Sequence, residues 1–362
     1  MTGFADLRSA VRGRRALSLI TALLAAVTLL VSPAGPGRSS PTATAGQAWP
    51  AARRGTVPPA LPDGTAYQPA LFLSAAESVG TAPTRDGKAL RLVLRGAGAQ
   101  VREVRRLPLA RGAVFSAVTV AGDILVWVQS VSGRQEVWAV GLRDGRPPRR
   151  LTTEVGDARF YQSQYDLAVA DGRVYWVAAA PRGEVTEVRS VALGGGRTEV
   201  RDVPGAWALS AWPWLVNGVV SASGATALRD VVTGRERAVP SGTGVVACSP
   251  VWCRVVSLTR DGTTRIELMH PDGTGRAAVA DGEVATVITD VAVLDRFEVF
   301  SRLTPASRLT GNVQLLVYDI AVRRTVEISP DAFGVSYRAG VLSWSTGNQQ
   351  SFLRHALDLR SV

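Results

Sequence analysis

Only two histidines, His270 and His355, and two cysteines, Cys248 and Cys253, occur among the 362 residues. So few ligands exclude a multi-histidine metal centre, a cysteine-rich zinc site and an iron–sulfur cluster. Lysine is almost missing as well. Lys88 is the single one among 41 basic residues, and the rest are arginine. The arginines come in scattered pairs such as Arg105-Arg106, Arg149-Arg150 and Arg323-Arg324. No block of five or six like charges appears, so the basic arm of a nucleic-acid binder is excluded. The sequence has no Gly-x-Ser-x-Gly elbow and no EF-hand-type run of alternating aspartates closed by glycine. Neither histidine has an evident partner, and Asp and Glu fall mainly at turns rather than in pairs suited to acid–base work. The sequence therefore offers no candidate catalytic, cofactor-binding or metal-ligating residues.

What is present begins with an N-terminal leader. A basic segment ends at Arg14-Arg15, and the uncharged run Ala16 to Val31 follows, closed by Pro33, Gly35 and Pro36. A basic region, an apolar core and a small-residue exit form an export signal. Cleavage fits Ala43-Thr44-Ala45, with a cut after Ala34 as the alternative. Retention as an N-terminal anchor helix, a possible membrane tether, is the other outcome. The run of 16 residues is shorter than the ~20 a bilayer core asks for. Residues 1–45 are thus read as signal peptide or membrane anchor, residues 46–64 as a proline-rich linker, and residues 65–362 as the folded body. The formal charge of +11 for the whole chain falls to +7 once Arg8, Arg12, Arg14, Arg15, Arg38 and Asp6 leave with the leader.

The body repeats. Asp-Gly occurs seven times, at Asp63, Asp86, Asp144, Asp171, Asp261, Asp272 and Asp281. Flanked by short apolar runs, this dipeptide signals hairpins, because a type I′ turn needs positive φ. The flanking runs are rich in Val, Trp, Phe and Tyr, as strands are. No segment carries a sustained 3.6-residue apolar stripe, so almost no helix is expected. Trp127, Trp176, Trp214, Trp252, Phe300 and Trp344 recur at a mean spacing of about 43 residues. A period of roughly 40–45 residues with four strands is the mark of a propeller blade. The pattern predicts an all-β single propeller, with each recurring aromatic in the second strand of its blade. Units begin near residues 113, 206, 244, 285 and 334, with another between the first two. An incomplete unit precedes them, with strands near 70–75, 89–95 and 101–107. The last unit lacks a fourth strand, which the segment around 56–75 could supply to close the ring. Seven blades are favoured. Six is the alternative, if Ala70–Ala75 is the closing strand.

The blade rhythm, the aspartyl-glycine turns and fourth-strand endings such as RRLTT resemble the TolB-like β-propellers, in particular the exported propeller proteins of actinobacteria, over residues 65–362. The resemblance implies a cell-envelope, extracytoplasmic scaffold that binds protein partners and has no catalytic residues to transfer. The separate N-terminal α/β domain of true TolB has no counterpart here.

Two features stand out as sites. Cys248 and Cys253 flank a short turn around Pro250. Outside the cytoplasm, a lone pair reads as a structural disulfide. The segment 154–165 joins a fourth strand to the next blade, where a propeller presents a binding face. Arg159, Phe160, Tyr161, Gln162, Gln164 and Tyr165 combine stacking, hydrogen bonding and charge there, as a contact surface does. The loop 303–312 is a second such segment. The expected partner is a protein or cell-wall component met by a monomer, with no nucleic acid. A propeller lyase or hydrolase with its site in the central channel is the alternative, and a basic binder of an anionic wall polymer is the third reading.

Overall fold

The computed structural model describes residues 42–362, apart from Ala99, Val220, Ser241 and Gln349. The apolar run of the leader lies outside the described residues. Within them, no helix is long and apolar enough to cross a membrane.

The chain enters through a four-residue helix, α1 (Ala45–Ala48), with Thr44 and Gln47 forming a reciprocal capping box. Residues 46–64, expected as a linker, are instead built into the fold. Trp49 is buried edge-on against Phe297 at 5.6 Å between ring centroids. The Arg54 guanidinium donates to the Ala45 and Trp49 carbonyls at 2.7 and 2.8 Å. Strand β1 (Arg54–Val57) follows. Pro58, Pro59 and Pro62 come after it, where no ladder N–H is required. Composition misled here because the prolines mark the exit from a strand rather than an unstructured spacer.

Four-stranded antiparallel sheets then succeed one another in chain order. The first is β2 (Gln68–Phe72), β3 (Ser78–Pro83), β4 (Ala89–Arg95) and β5 (Val101–Pro108). The second is β6 (Val114–Ala121), β7 (Ile124–Val131), β8 (Arg134–Gly141) and β9 (Arg149–Thr152). In the third, β10 (Asp157–Ala158) and β11 (Ala168–Ala170) both pair with β12 (Arg173–Ala179), followed by β13 (Val185–Ala192) and β14 (Glu199–Pro204). The fourth is β15 (Trp207–Leu209), β16 (Trp214–Asn217), β17 (Ala227–Asp230) and β18 (Glu236–Ala238). The fifth is β19 (Val245–Cys248), β20 (Cys253–Leu258), β21 (Thr264–Met269) and β22 (Ala277–Gly282).

The remaining strands are β23 (Val284–Thr286), β24 (Phe297–Arg302), β25 (Val313–Asp319), β26 (Arg324–Arg338), β27 (Val341–Gly347) and β28 (Phe352–Asp358). A short helix, α2 (Ser307–Thr310), sits between β24 and β25. The order β1-β28-β27-β26-β25-β24-β23 is continuous because the 15-residue β26 pairs with β25 up to Ala332 and with β27 from Phe333. Strand β1, the first of the chain, closes against β28, the last: Arg54 faces Leu357 and Val57 faces Arg354. This covers an edge that would otherwise be free to pair. The run Ala70–Ala75 does not serve as the closing strand, since β2 pairs with β3. The unit that looked incomplete has all four strands. Its β3 escaped notice because Gly80 and Pro83 dilute the apolar alternation.

The aromatic rhythm holds at five of six positions. Trp127, Trp176, Trp214 and Phe300 each lie on the second strand of their sheet, and Trp344 lies on β27, the strand that follows the shared β26. Trp252 breaks the rhythm. It sits in the turn before β20, stacked on His270 at 4.3 Å, with its indole N–H donating to the Asp295 carbonyl at 3.1 Å. The β19–β20 hairpin displaces it, because Ser249 accepts the Trp252 N–H at 3.0 Å and Cys253 opens the strand. The turn chemistry is as the sequence predicts at Asp171-Gly172, a two-residue hairpin with φ of 49° and 71°.

Candidate functional site

The candidate site grows from one irregularity. In every other sheet the leading strand is continuous. In the third it is split, and residues 159–167 leave β10 and return at β11, both halves pairing with the same strand β12. The segment is therefore no connection between blades on an exposed face, as the sequence suggested. It is an excursion from inside a strand. Its aromatics explain where it goes. Phe160 packs onto the core between the second and third sheets. Tyr161 packs against residues of the fourth and fifth sheets, and Tyr165 against the fourth. Large apolar rings in a nine-residue insertion are more stable buried than left in water.

The excursion ends on Asp290, 127 residues further on, in the segment after β23. The Ser163 hydroxyl donates to Asp290 Oδ1 at 2.5 Å and the Gln164 N–H to Oδ2 at 3.1 Å. The Thr289 hydroxyl donates to the Tyr161 carbonyl at 3.3 Å. Within the excursion, the Tyr161 N–H donates to Asp166 at 2.8 Å and the Tyr165 N–H to the Ser163 hydroxyl oxygen at 3.0 Å.

Asp290 is itself held from behind. The Arg254 guanidinium of β20 pairs with Glu298 of β24 at 2.8 Å, both side chains buried. The same guanidinium donates to the carbonyls of Ile288, Thr289 and Asp290 at 3.2–3.3 Å. Glu298 also accepts the Ala292 N–H at 2.9 Å. This clamp fixes a segment whose Ala292, Leu294 and Asp295 all take positive φ.

Around these groups lies a cavity of about 610 Å³. Its walls come from β15, β19, β23 and the end of β26, with the excursion projecting among them. Of these, β15, β19 and β23 are leading strands of successive sheets, the position that lines a propeller's central channel. Tyr161, Gln162 and Tyr165 of the sequence candidates reach the cavity, as does the buried Ser163. Arg159 is exposed and ion-paired with its neighbour Asp157, while Phe160 and Gln164 do not line it. Sequence reasoning missed Asp290, Tyr337, Arg338 and Arg254, because nothing in their local pattern announces that distant segments meet. Asp166, adjacent to the candidate run, carried the one usable signal.

The electrostatics follow from burial. Desolvation raises the Asp290 carboxyl above its ordinary range, opposed by Ser163, the Gln164 N–H and the charges of Arg338 and Arg254. Desolvation raises Asp166 as well, opposed by the Tyr161 N–H and Arg338. Burial also pushes up the phenols of Tyr165 and Tyr337. The cavity thus offers hydroxyls, weakly acidic carboxyls and the half-buried Arg338 on a rigid wall. Such a mix orients a polar or aromatic group. Among the described residues, no cluster of three or more His, Cys, Asp or Glu gathers as a metal site.

Cys248 and Cys253 form a disulfide across the first pair of β19–β20, with Cα atoms 4.0 Å apart. Cys248 lies on the cavity wall. The bond accords with an oxidising compartment.

No family model matches the sequence, and no curated protein matches it. Solved structures do. An uncharacterized protein, lmo1340 from Listeria monocytogenes, superposes with a TM-score of 0.52 at 10% identity, covering 77% of this chain and 88% of its own. A prolyl endopeptidase superposes with a TM-score of 0.53 at 17% identity over 86% of this chain, which spans 47% of that enzyme, about half its length. TolB from Acinetobacter baumannii is matched at 14% identity over 56% of this chain and 51% of its own, with a TM-score of 0.30. The neighbours include a peptidase as well as TolB, and identities this low speak for the fold alone. The succession of four-stranded antiparallel sheets is that of a β-propeller.

Proposed function

We propose that the chain is an exported seven-bladed propeller that acts as a non-catalytic scaffold, taking part of a protein or cell-wall partner into the channel cavity. The blade count follows if β26 serves twice, as the outer strand of β23–β25 and the inner strand of β27, β28 and β1. The observation that carries the binding reading is the cavity itself. Tyr161, Gln162, Tyr165 and Tyr337 converge there on a wall held rigid by the Arg254–Glu298 pair. The leader sequence and the disulfide support export. A monomer suits a ring whose β1 already covers its own seam.

A second reading, a lyase or hydrolase at the channel, draws on the weakened acidities of Asp166 and Asp290 beside buried phenols. One experiment separates the two. The exported protein is cross-linked in its native envelope and recovered as wild type and as Gln162→Arg, a change at an exposed wall residue. The scaffold reading expects a partner whose recovery falls at least about tenfold in the variant. Unchanged recovery in the variant overturns it. Turnover on a substrate panel that is abolished by Asp290→Asn supports the enzyme instead.

A further inference from the structure

The loop 303–312 was singled out by sequence and plays no part in the channel. It forms the tip of the β24–β25 hairpin and carries α2. Its polar groups are used internally: the Thr304 N–H donates to the Ser307 hydroxyl oxygen at 2.9 Å and the Asn312 N–H to the Thr310 hydroxyl oxygen at 3.1 Å. The Asn312 side chain donates to the Gly347 carbonyl at 2.9 Å, tying this tip to that of the β27–β28 hairpin.

The described residues of the two tips and their flanks present leucine to solvent. Leu309 is 90% exposed, Leu303 50% and Leu353 41%. An isolated exposed leucine needs no explanation, whereas two on one ten-residue tip, with a third beside the tip tied to it, set these tips apart. The charge on the tips themselves has one sign. From Arg302 to Tyr318 and from Ala339 to Leu357 the chain has no Asp or Glu. Arg308 is exposed and Arg302 half-buried. The nearby carboxylates, Glu283 and Asp331, belong to flanking segments and not to either tip. Leucines that project between arginines suit an interfacial surface, where apolar side chains enter the acyl boundary and arginines meet phosphates.

The chain ahead of the fold sets how far this sheet can stand from a bilayer. Its apolar run ends at Val31, and the Ala43 carbonyl accepts the Glu327 N–H of β26, in the sheet that carries the first tip. Eleven residues between them span at most about 40 Å. A retained anchor would therefore keep this sheet within that distance of a bilayer.

We propose that the two tied tips dock on an anionic bilayer surface, with Leu309 and Leu303 inserted and Arg302 and Arg308 on the phosphates. This is independent of what the channel binds. The test uses the full chain reconstituted in phosphatidylglycerol–phosphatidylethanolamine vesicles with brominated acyl chains. An environment-sensitive fluorophore is attached at Leu309→Cys. Its control is Val322→Cys, an exposed residue in the β25–β26 turn at the opposite end of the same sheet. The chain's own two cysteines are tied in the disulfide. The label at 309 is expected to be quenched at least fivefold more than that at 322. Replacing Arg302 and Arg308 by Ser is expected to weaken the 309 signal by about fivefold per arginine in anionic vesicles. Equal quenching at the two positions, no quenching at 309, or an equal 309 signal in phosphatidylcholine vesicles overturns the proposal. A 309 response to soluble polyphosphate but not to vesicles assigns the tips to a wall polymer and equally overturns it.

Discussion

The connection from β1 to β2 and the channel each hold an aspartate by several hydrogen bonds, with opposite electrostatic results. In the connection from β1 to β2, Asp63 accepts the Thr65 N–H and hydroxyl at 3.0 and 2.6 Å and the guanidinium of Arg91 in β4 at 2.8 Å. Those hydrogen bonds hold its carboxyl down at about 2. In the channel, Asp290 accepts two hydrogen bonds and faces two arginines, yet burial outweighs them and its acidity is weakened. The number of donors does not decide the sign. Access to water does, since desolvation penalises only the ionised form.

The largest expected effect tests whether the channel wall depends on its buried clamp. Glu298→Ala leaves the Arg254 charge buried without its partner and is expected to cost about 3–5 kcal/mol. Urea unfolding measures it. A loss below 1 kcal/mol would show that the 288–292 segment is held by something else.

Next comes the seam. A Cβ at Gly55 would lie 1.9 Å from the Ala75 carbonyl oxygen, so β1 seats only with glycine there. Gly55→Val is expected to lose about 1–3 kcal/mol through overpacking. Calorimetry would detect it as a lowered Tm, and an unchanged Tm would mean that β1 does not close the ring in solution.

The smallest effects sharpen the contrast in sign. Because the folded Asp63 is held below its ordinary value of 3.8, its support is present above that value and fades as pH falls toward 2. It sits in a partly exposed pair, so Asp63→Asn should cost about 1 kcal/mol or less at neutral pH. Asp290 behaves inversely. Its folded carboxyl is raised, so the folded state holds the proton more tightly and stability falls as pH rises from 3.8 through the folded value. Unfolding free energies of wild type minus Asp290→Asn, measured from pH 3 to 7, should decline with pH, while the Asp63→Asn difference rises. Matching slopes would break the comparison.

Most of the wall was legible in sequence. Strands such as Ile124–Val131 and Arg173–Ala179 are short apolar runs around a buried tryptophan, and Asp171-Gly172 marks its own hairpin. These are local signals, and each blade repeats them. The candidate site was half legible. Tyr161, Gln162 and Tyr165 stood out by composition. Their destination did not, because an excursion inside a strand and a loop between strands look alike until pairing with β12 is known. Asp290, Tyr337 and Arg338 carry no pattern of their own.

By itself, the sequence determined the repeat, the strand chemistry, the scarcity of metal ligands and the chance of a disulfide at Cys248 and Cys253. Only the tertiary structure decided that β1 rather than Ala70–Ala75 meets the last strand, that residues 46–64 belong to the body, and that Ser163 meets Asp290 across the channel. The physical reason is range. Alternation and turn preference act between neighbours in the chain, whereas ring closure and a desolvated carboxylate depend on segments more than a hundred residues apart.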